Sequence, residues 1–293
     1  MRSKYINPFT DYGFKKLFGE EGNKNLLIAF LNDILPIKDK IVKLAFKKNE
    51  AQGDTATSRK AVYDIFCEDE KGSQFIVEMQ NAKQTYFKDR TVFYSTFPIR
   101  DQAQKGDWDF KLESVYCVAL LGFNFDKKVE DLEIDEIVEN QSYYHRVQLK
   151  DQRNNVFYEK LNFVFIELPK FNKSEDELQT HFDKWLYFLK HLDSFESIPE
   201  ILNEPIFIEA FKSAEVANFT EEEYRVYEYS LMVMRDNVNV INTARQEGRE
   251  EGKIEGKIEI ATEMILDGEP IGKIIKYSKL TESEITDLKN KIV

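Results

Sequence analysis

The sequence predicts an α/β fold in the order helix, three strands, helix, strand, followed by a mostly helical C-terminal region. Three patterns carry this. Apolar residues recur at helical spacing near the N-terminus; two short β-branched and aromatic runs flank a polar tract with a glycine; and an aromatic-rich helical pattern separates these runs from a near-continuous apolar strand.

Asn7-Pro8-Phe9-Thr10-Asp11 precedes Tyr12 to Phe18, where Phe14, Leu17 and Phe18 share a helix face that either Thr10 or Asp11 can cap. A second helical run buries Leu26, Leu27, Phe30, Leu31, Ile34 and Leu35 before Pro36 ends it. Ile41 to Phe46 reads as a first strand, with Gln52 to Ser58 as its loop. The runs Ala61 to Phe66 and Gln74 to Met79 then form a hairpin around Glu68-Asp69-Glu70-Lys71-Gly72-Ser73. Thr85 to Gln104 carries Tyr86, Phe87, Arg90, Phe93, Tyr94 and Phe97 at spacings of three and four, an amphipathic helix interrupted late by Pro98, most of whose aromatics belong to the core. Leu112 to Phe123 is a central strand buried on both faces.

The hairpin is where the sequence concentrates chemistry. Symmetric pairing about Lys71 sets Asp64 opposite Glu78, and directly opposed side chains have Cβ atoms roughly 4.5–5.5 Å apart. Alternation puts Gln80 on the face of Glu78. Two like charges so close are unfavourable unless one is protonated or a cation lies between them, and Mg²⁺ suits such an oxygen site. Spacing alone is equally satisfied by the polar face of a half-solvated hairpin. Arg90, on the following helix, can reach back to the carboxylates or out to a phosphate.

Composition narrows the field. The chain has 293 residues, 42% of them hydrophobic, and a formal net charge of −12, which argues against a non-specific nucleic-acid coat. Basic residues are nevertheless in local excess around Lys83, Lys88, Arg90, Arg100 and Lys105, and again at Arg2, Lys4, Lys15 and Lys16. No apolar run approaches the roughly 18–20 residues of a membrane helix. The first residues lack the apolar stretch of a signal peptide, so a cytoplasmic protein with no membrane partner is expected. Cys67 and Cys117 fall in strands and read as small buried hydrophobes, and His145, His181 and His191 are too scattered for a zinc site.

Beyond the acidic stretch Lys127 to Glu139, strand-like runs at Tyr143 to Leu149 and Leu161 to Leu168 extend the sheet. After Pro169 the pattern is helical: Phe182, Trp185, Leu186 and Leu189 form one stripe, and Thr220 with Glu223 caps a helix through Met234. The segment Gln246 to Ile260, containing GREEGKIEGKIEI, is a charged helical connector or half of an oligomer contact. A helix through Met264 and Ile265 then stops at Asp267-Gly268, a short helix begins at Pro270, and another is capped by Thr281 with Glu284. Self-association into a homo-oligomer fits these C-terminal helices better than a DNA-reading helix-turn-helix, given their acids.

The order of elements, together with Asp11-Tyr12-Gly13-Phe14-Lys15-Lys16-Leu17-Phe18-Gly19, Tyr63-Asp64-Ile65, Val77-Glu78-Met79-Gln80, Arg90 with Tyr94, and the strand around Tyr116, resembles the PD-(D/E)XK nuclease superfamily. More narrowly, it is similar to the Rpn family of recombination-promoting nucleases and transposases. That resemblance implies a restriction-endonuclease-like αβββαβ core with a mixed sheet, and a DNA endonuclease dependent on Mg²⁺, with Mn²⁺ as an alternative. It implies Asp64 and Glu78 as the metal-binding acids, Gln80 in the place of the motif's lysine, and a further acid from the first helix, Asp11 or else Glu20 or Glu21. An amide cannot supply positive charge, so either the rate is low or Arg90 or Lys15 provides the missing charge. The expected organisation is a nuclease-like domain at 1–169, a helical region at 170–245 and a charged connector with a small helical unit at 246–293.

Overall fold

The computed structural model describes residues 3–51, 61–103, 107–125 and 142–292. Helix α1 (Asp11–Phe18) is started by Thr10, whose side-chain oxygen accepts the Gly13 N–H at 2.9 Å, so Asp11 is left free of capping. A Cβ at Gly13 would collide with the Asn7 carbonyl oxygen, which makes glycine obligatory there. Helix α2 (Lys24–Ile34) buries the expected stripe, with Phe30 stacked on Phe18 at 4.9 Å.

Strands β1 (Leu44–Phe46), β2 (Glu50–Ala51), β3 (Ala61–Val62), β4 (Ile65–Asp69) and β5 (Gln74–Gln80) follow. The run expected as one strand from Ala61 to Phe66 is broken. Its first two residues pair with β2 in a separate two-stranded sheet, and Tyr63 and Asp64 leave the ladder before β4 begins. The cause is local hydrogen bonding: the Tyr63 N–H donates to the Asn49 carbonyl at 2.8 Å, and the Asn49 amide donates to the Asp64 carbonyl at 3.0 Å. The first strand is also shorter than Ile41 to Phe46, since Asn32 takes both backbone groups of Ile41. Its expected loop at 52–58 lies outside the described residues, as does the acidic stretch 127–139. The β4–β5 turn is built as expected: Gly72 has φ +84°, and Asp69 Oδ1 accepts from the Lys71 and Ser73 N–H groups at 2.9 and 2.8 Å.

Helix α3 (Phe87–Arg100), β6 (Val115–Leu121), β7 (Tyr144–Lys150) and β8 (Val156–Glu167) complete the sheet layer. The six strands lie in the order β1-β4-β5-β6-β8-β7, with β5, β6 and β8 parallel and the outer pairings antiparallel. This is the mixed sheet that was expected. Alternation divides its two faces. Ile65, Cys67, Val77, Val118, Leu120, Val164 and Ile166 pack into the core shared with α1, α2 and the later helices. Ile76, Cys117, Ala119, Leu121, Phe163 and Phe165 pack against Phe87 and Phe97 of α3. Both cysteines are buried and free. Only part of the aromatic set on α3 is core, because Phe93 is exposed, as is Tyr86 just before the helix.

Helices α4 (His181–His191) and α5 (Pro205–Ala214) cover the first face, where Trp185 is wholly buried and packs on Phe30 at 5.6 Å. Helix α6 (Glu221–Leu266) begins at the Thr220–Glu223 capping box and does not stop near Met234. It runs on through the glycines of GREEGKIEGKIEI, whose Glu, Lys and Arg are strong helix formers. Its first turns are tied to the N-terminal segment: Tyr227 Oη accepts the Asn7 N–H at 2.8 Å, and Glu223 pairs with Lys16 at 2.7 Å.

The chain divides into two compact units, Met1–Met232 and Val233–Val293, with the division inside α6 rather than at either expected border. In the second unit, Ala261, Ile274, Leu280 and Ile285 form a small core among α6, α7 (Ile271–Ser278) and α8 (Glu282–Ile292). Gly268, at φ +72°, ends α6, and the Thr281–Glu284 box starts α8, as the sequence indicates. Among the described residues no helix is long and apolar enough to cross a membrane.

Phe30→Ala is expected to lower unfolding free energy by about 3–5 kcal/mol, the usual cost of emptying a phenylalanine site in a packed core. Urea unfolding checks this; a loss below about 1 kcal/mol would show that the Phe18–Phe30–Trp185 cluster does not carry the first face.

Candidate active site

Strands β4 and β5 pair Ile65 with Val77 through Glu68 with Gln74. Continued one step further, that register would set Asp64 opposite Glu78, as symmetry about Lys71 predicts, but the ladder ends at Ile65 and Val77. Asp64 lies just outside the ladder, and its Oδ2 accepts the Met79 N–H at 2.8 Å. That bond draws the carboxylate onto β5. Glu78 and Gln80 occupy the α3 face, because Ile76 belongs to that face's core and Val77 to the opposite one. In the parallel neighbour β6, Ala119 stands beside Glu78.

Burial makes this pair electrostatically costly. Glu78 is 9% exposed, and burial first, then the Asp64 charge, pushes its carboxyl up to about 7 against a lowering pull from Arg90. Asp64 is also raised, chiefly by burial and in part by Asp11, while the Met79 N–H, Lys15 and Arg90 oppose the rise. Of the six residues singled out in the sequence, Lys15 and Asp11 bear on this pair through their charges on Asp64 alone.

Arg90 turns inward. Its Nη2 donates to Gln80 Oε1 at 2.7 Å and lies 3.6 Å from Glu78 Oε2, while Nη1 donates to Gln84 Oε1 at 2.8 Å. The guanidinium stands over the rings of Phe87 and Tyr94 at 5.4 and 5.6 Å. Gln80 Nε2 donates to the Ala82 carbonyl at 3.0 Å, which directs its oxygen toward Arg90. Asp11 is exposed and paired with Lys15 at 2.7 Å. Glu20 and Glu21 are engaged by Lys16 and Lys24. Among the described residues no three His, Cys, Asp or Glu side chains close into a metal-holding group, so Asp11 does not join Asp64 and Glu78 as a third close ligand.

Two positioning features escaped the sequence reading. Asn81 Nδ2 donates to the Phe9 carbonyl, tying the end of β5 to the segment that enters α1. Gly122, whose N–H donates to the Gln80 carbonyl at 2.9 Å, passes so close that a Cβ there would lie 3.0 Å from the Asn81 side-chain oxygen. A glycine directly after a buried strand was the available signal. The second is Glu167, in register with Leu121, which is itself in register with Gln80. Fully buried, it lies 2.6 Å from His145 Nε2 and 3.2 Å from Lys170 Nζ, and accepts the Phe125 N–H at 3.1 Å. Burial pushes its carboxyl up, but these partners hold it below the ordinary range. His145 thus has a structural partner, and the strand-end acid closing an apolar run was its only trace in the sequence.

The family model for PD-(D/E)XK nuclease family transposases matches residues 8–244. The chain belongs to this family. No curated protein and no solved structure matches it at a significant level. The family match takes in Asp11, Lys15, Asp64, Glu78, Gln80 and Arg90, and leaves residues 245–293 outside. It agrees with the mixed sheet and with the fold expected from the sequence.

An acid whose pKa rises on folding gives up its proton more readily when unfolded, so ionised Glu78 costs stability as pH climbs from 4.5 to about 7. At about 1.4 kcal/mol per unit, Glu78→Gln in chelator should gain on the native protein by roughly 2–3 kcal/mol between about pH 5 and about pH 8. Urea unfolding at both pH values measures this; a constant difference would mean that Glu78 is not desolvated as described.

Proposed function

We propose that the chain is a metal-dependent DNA endonuclease that hydrolyses phosphodiester bonds, in recombination or in the processing of mobile or phage-related DNA. The observation that carries this reading is the buried Asp64–Glu78 pair, held together at the ends of β4 and β5 in a chain of this nuclease family.

The donor set fits a hard divalent cation. Two carboxylates are oxygen donors of the kind that Mg²⁺, or Mn²⁺ in its place, takes together with waters and a substrate oxygen. Asp64 and Glu78 would hold the ion through carboxylate oxygens. A cation bound there supplies a Lewis acid for a phosphoryl oxygen, a more acidic water and neutralisation of charge developing in the displacement.

The remaining work falls to side chains whose positions are set. Gln80, with its amide nitrogen committed to Ala82, offers an oxygen that can accept a hydrogen bond from the attacking water and so orient it. Arg90 supplies the positive charge that an amide cannot, and its planar fork matches a phosphate. Lys15 adds a second cation near Asp64, with Asp11 holding it in place. When Asp64 and Glu78 are both ionised they outweigh Arg90, and Lys15 is offset by Asp11, so the site does not then attract a phosphate by itself. The polynucleotide's approach is thus coupled to cation binding.

Supercoiled plasmid should be nicked or linearised with Mg²⁺, left intact with chelator, and cleaved at least about 100-fold more slowly by Glu78→Ala and by Asp64→Asn, as for loss of a ligand on which charge stabilisation depends. Cleavage that persists in both folded variants would place the activity elsewhere. Failure on duplex DNA, single-stranded DNA and RNA with either metal would reduce the fold to a binding role.

A further inference from the structure

We propose that Arg90 occupies the cation's seat in the metal-free protein, so that metal binding displaces its guanidinium from Glu78 and Gln80 and releases it toward the substrate phosphate. The inference rests on the nuclease reading above and adds a competition within that site.

Three observations support it. The guanidinium lies 3.6 Å from Glu78 Oε2, one of the two carboxylates that would hold the cation, and donates at 2.7 Å to Gln80 Oε1, the oxygen that would orient the water. Glu78 is almost fully enclosed, and a divalent ion and a guanidinium sharing one desolvated carboxylate would repel each other strongly. The resting position is also incompletely satisfied. Arg90 Nε is buried without a hydrogen-bond partner, so the inward state leaves a donor unused that an outward state can give to water or to phosphate oxygen.

The path outward is furnished by the same helix. Phe87 and Tyr94 flank Arg90 and lie under its guanidinium, and a planar cation can move across such rings without losing their attraction. Gln84, seated before α3 and exposed, holds Nη1 and so favours the inward position. Arg90 thus has two alternative duties. It neutralises the acids when no metal is present and stabilises the phosphate once the metal has taken the acids over.

Competition of this kind has an effect opposite to that of an ordinary supporting residue. Removing a side chain that merely shapes a site weakens metal binding; removing a competitor strengthens it. Mn²⁺ binding to the full chain without DNA, followed by the loss of free-ion signal in electron paramagnetic resonance, separates the two. Arg90→Gln should bind Mn²⁺ about tenfold more tightly than the native protein, in keeping with loss of a charge-assisted contact. Gln84→Ala, which leaves the acids and Arg90 intact, should shift affinity in the same direction but less. At saturating Mn²⁺, Arg90→Gln should nevertheless cleave plasmid more slowly.

Glu78→Gln should abolish the binding and so locate it. If Glu78-dependent binding is present but Arg90→Gln and Gln84→Ala leave it unchanged or weaken it, the displacement is wrong and the nuclease reading stands. If no variant and no native protein binds Mn²⁺ through Glu78, both fall together.

Discussion

The constraint on which the site depends is the confinement of two carboxylates at the junction of an antiparallel and a parallel strand pairing. β5 belongs to both: it is antiparallel to β4 and parallel to β6. The antiparallel side brings the start of β4 beside the end of β5, which no parallel neighbour could do. The parallel side requires a crossover, supplied by α3, which places Arg90 over the same strand end. A single topological choice thus collects Asp64, Glu78, Gln80 and Arg90 from segments up to 26 residues apart (90 minus 64).

Much of this was legible in the sequence because it depends on parity and register. A hairpin symmetric about Lys71 fixes which residues face each other, and alternation fixes that Glu78 and Gln80 share a face while Val77 does not. The break at Tyr63-Asp64 was not legible. Ala61 to Phe66 has the composition of one strand, and only tertiary partners, the Asn49 carbonyl and the Met79 N–H, turn it aside. That deviation matters chemically, since it lets the Asp64 carboxylate bond to the backbone of β5.

The direction of Arg90 lay beyond sequence reasoning for a different reason. Helical spacing places its Cα on the side facing the sheet, but a long side chain can then fold inward or outward. What decides it is the depth of Glu78 beneath α3 and the fixed orientation of the Gln80 amide. The helical boundaries failed in a third way. GREEGKIEGKIEI has few apolar residues, so periodicity gave no reason to join it to the helix before it, whereas backbone propensity carries α6 across it.

The exchange of lysine for glutamine also makes sense in this setting. A lysine at position 80 would place a cation two residues from Glu78 on the same face, against the position that Arg90 already fills. Two fixed cations there would hold the carboxylates neutralised and discourage a metal from entering. Charge carried on α3, at the end of a flexible side chain beside aromatic rings, would be removable in the way proposed above. Glutamine gives Arg90 a partner that bears no charge of its own, and on the proposed reading its oxygen would also orient water. On the proposed reading, glutamine at this position leaves binding of a cation and stabilisation of the phosphate to different residues, two tasks that a fixed lysine would place in conflict.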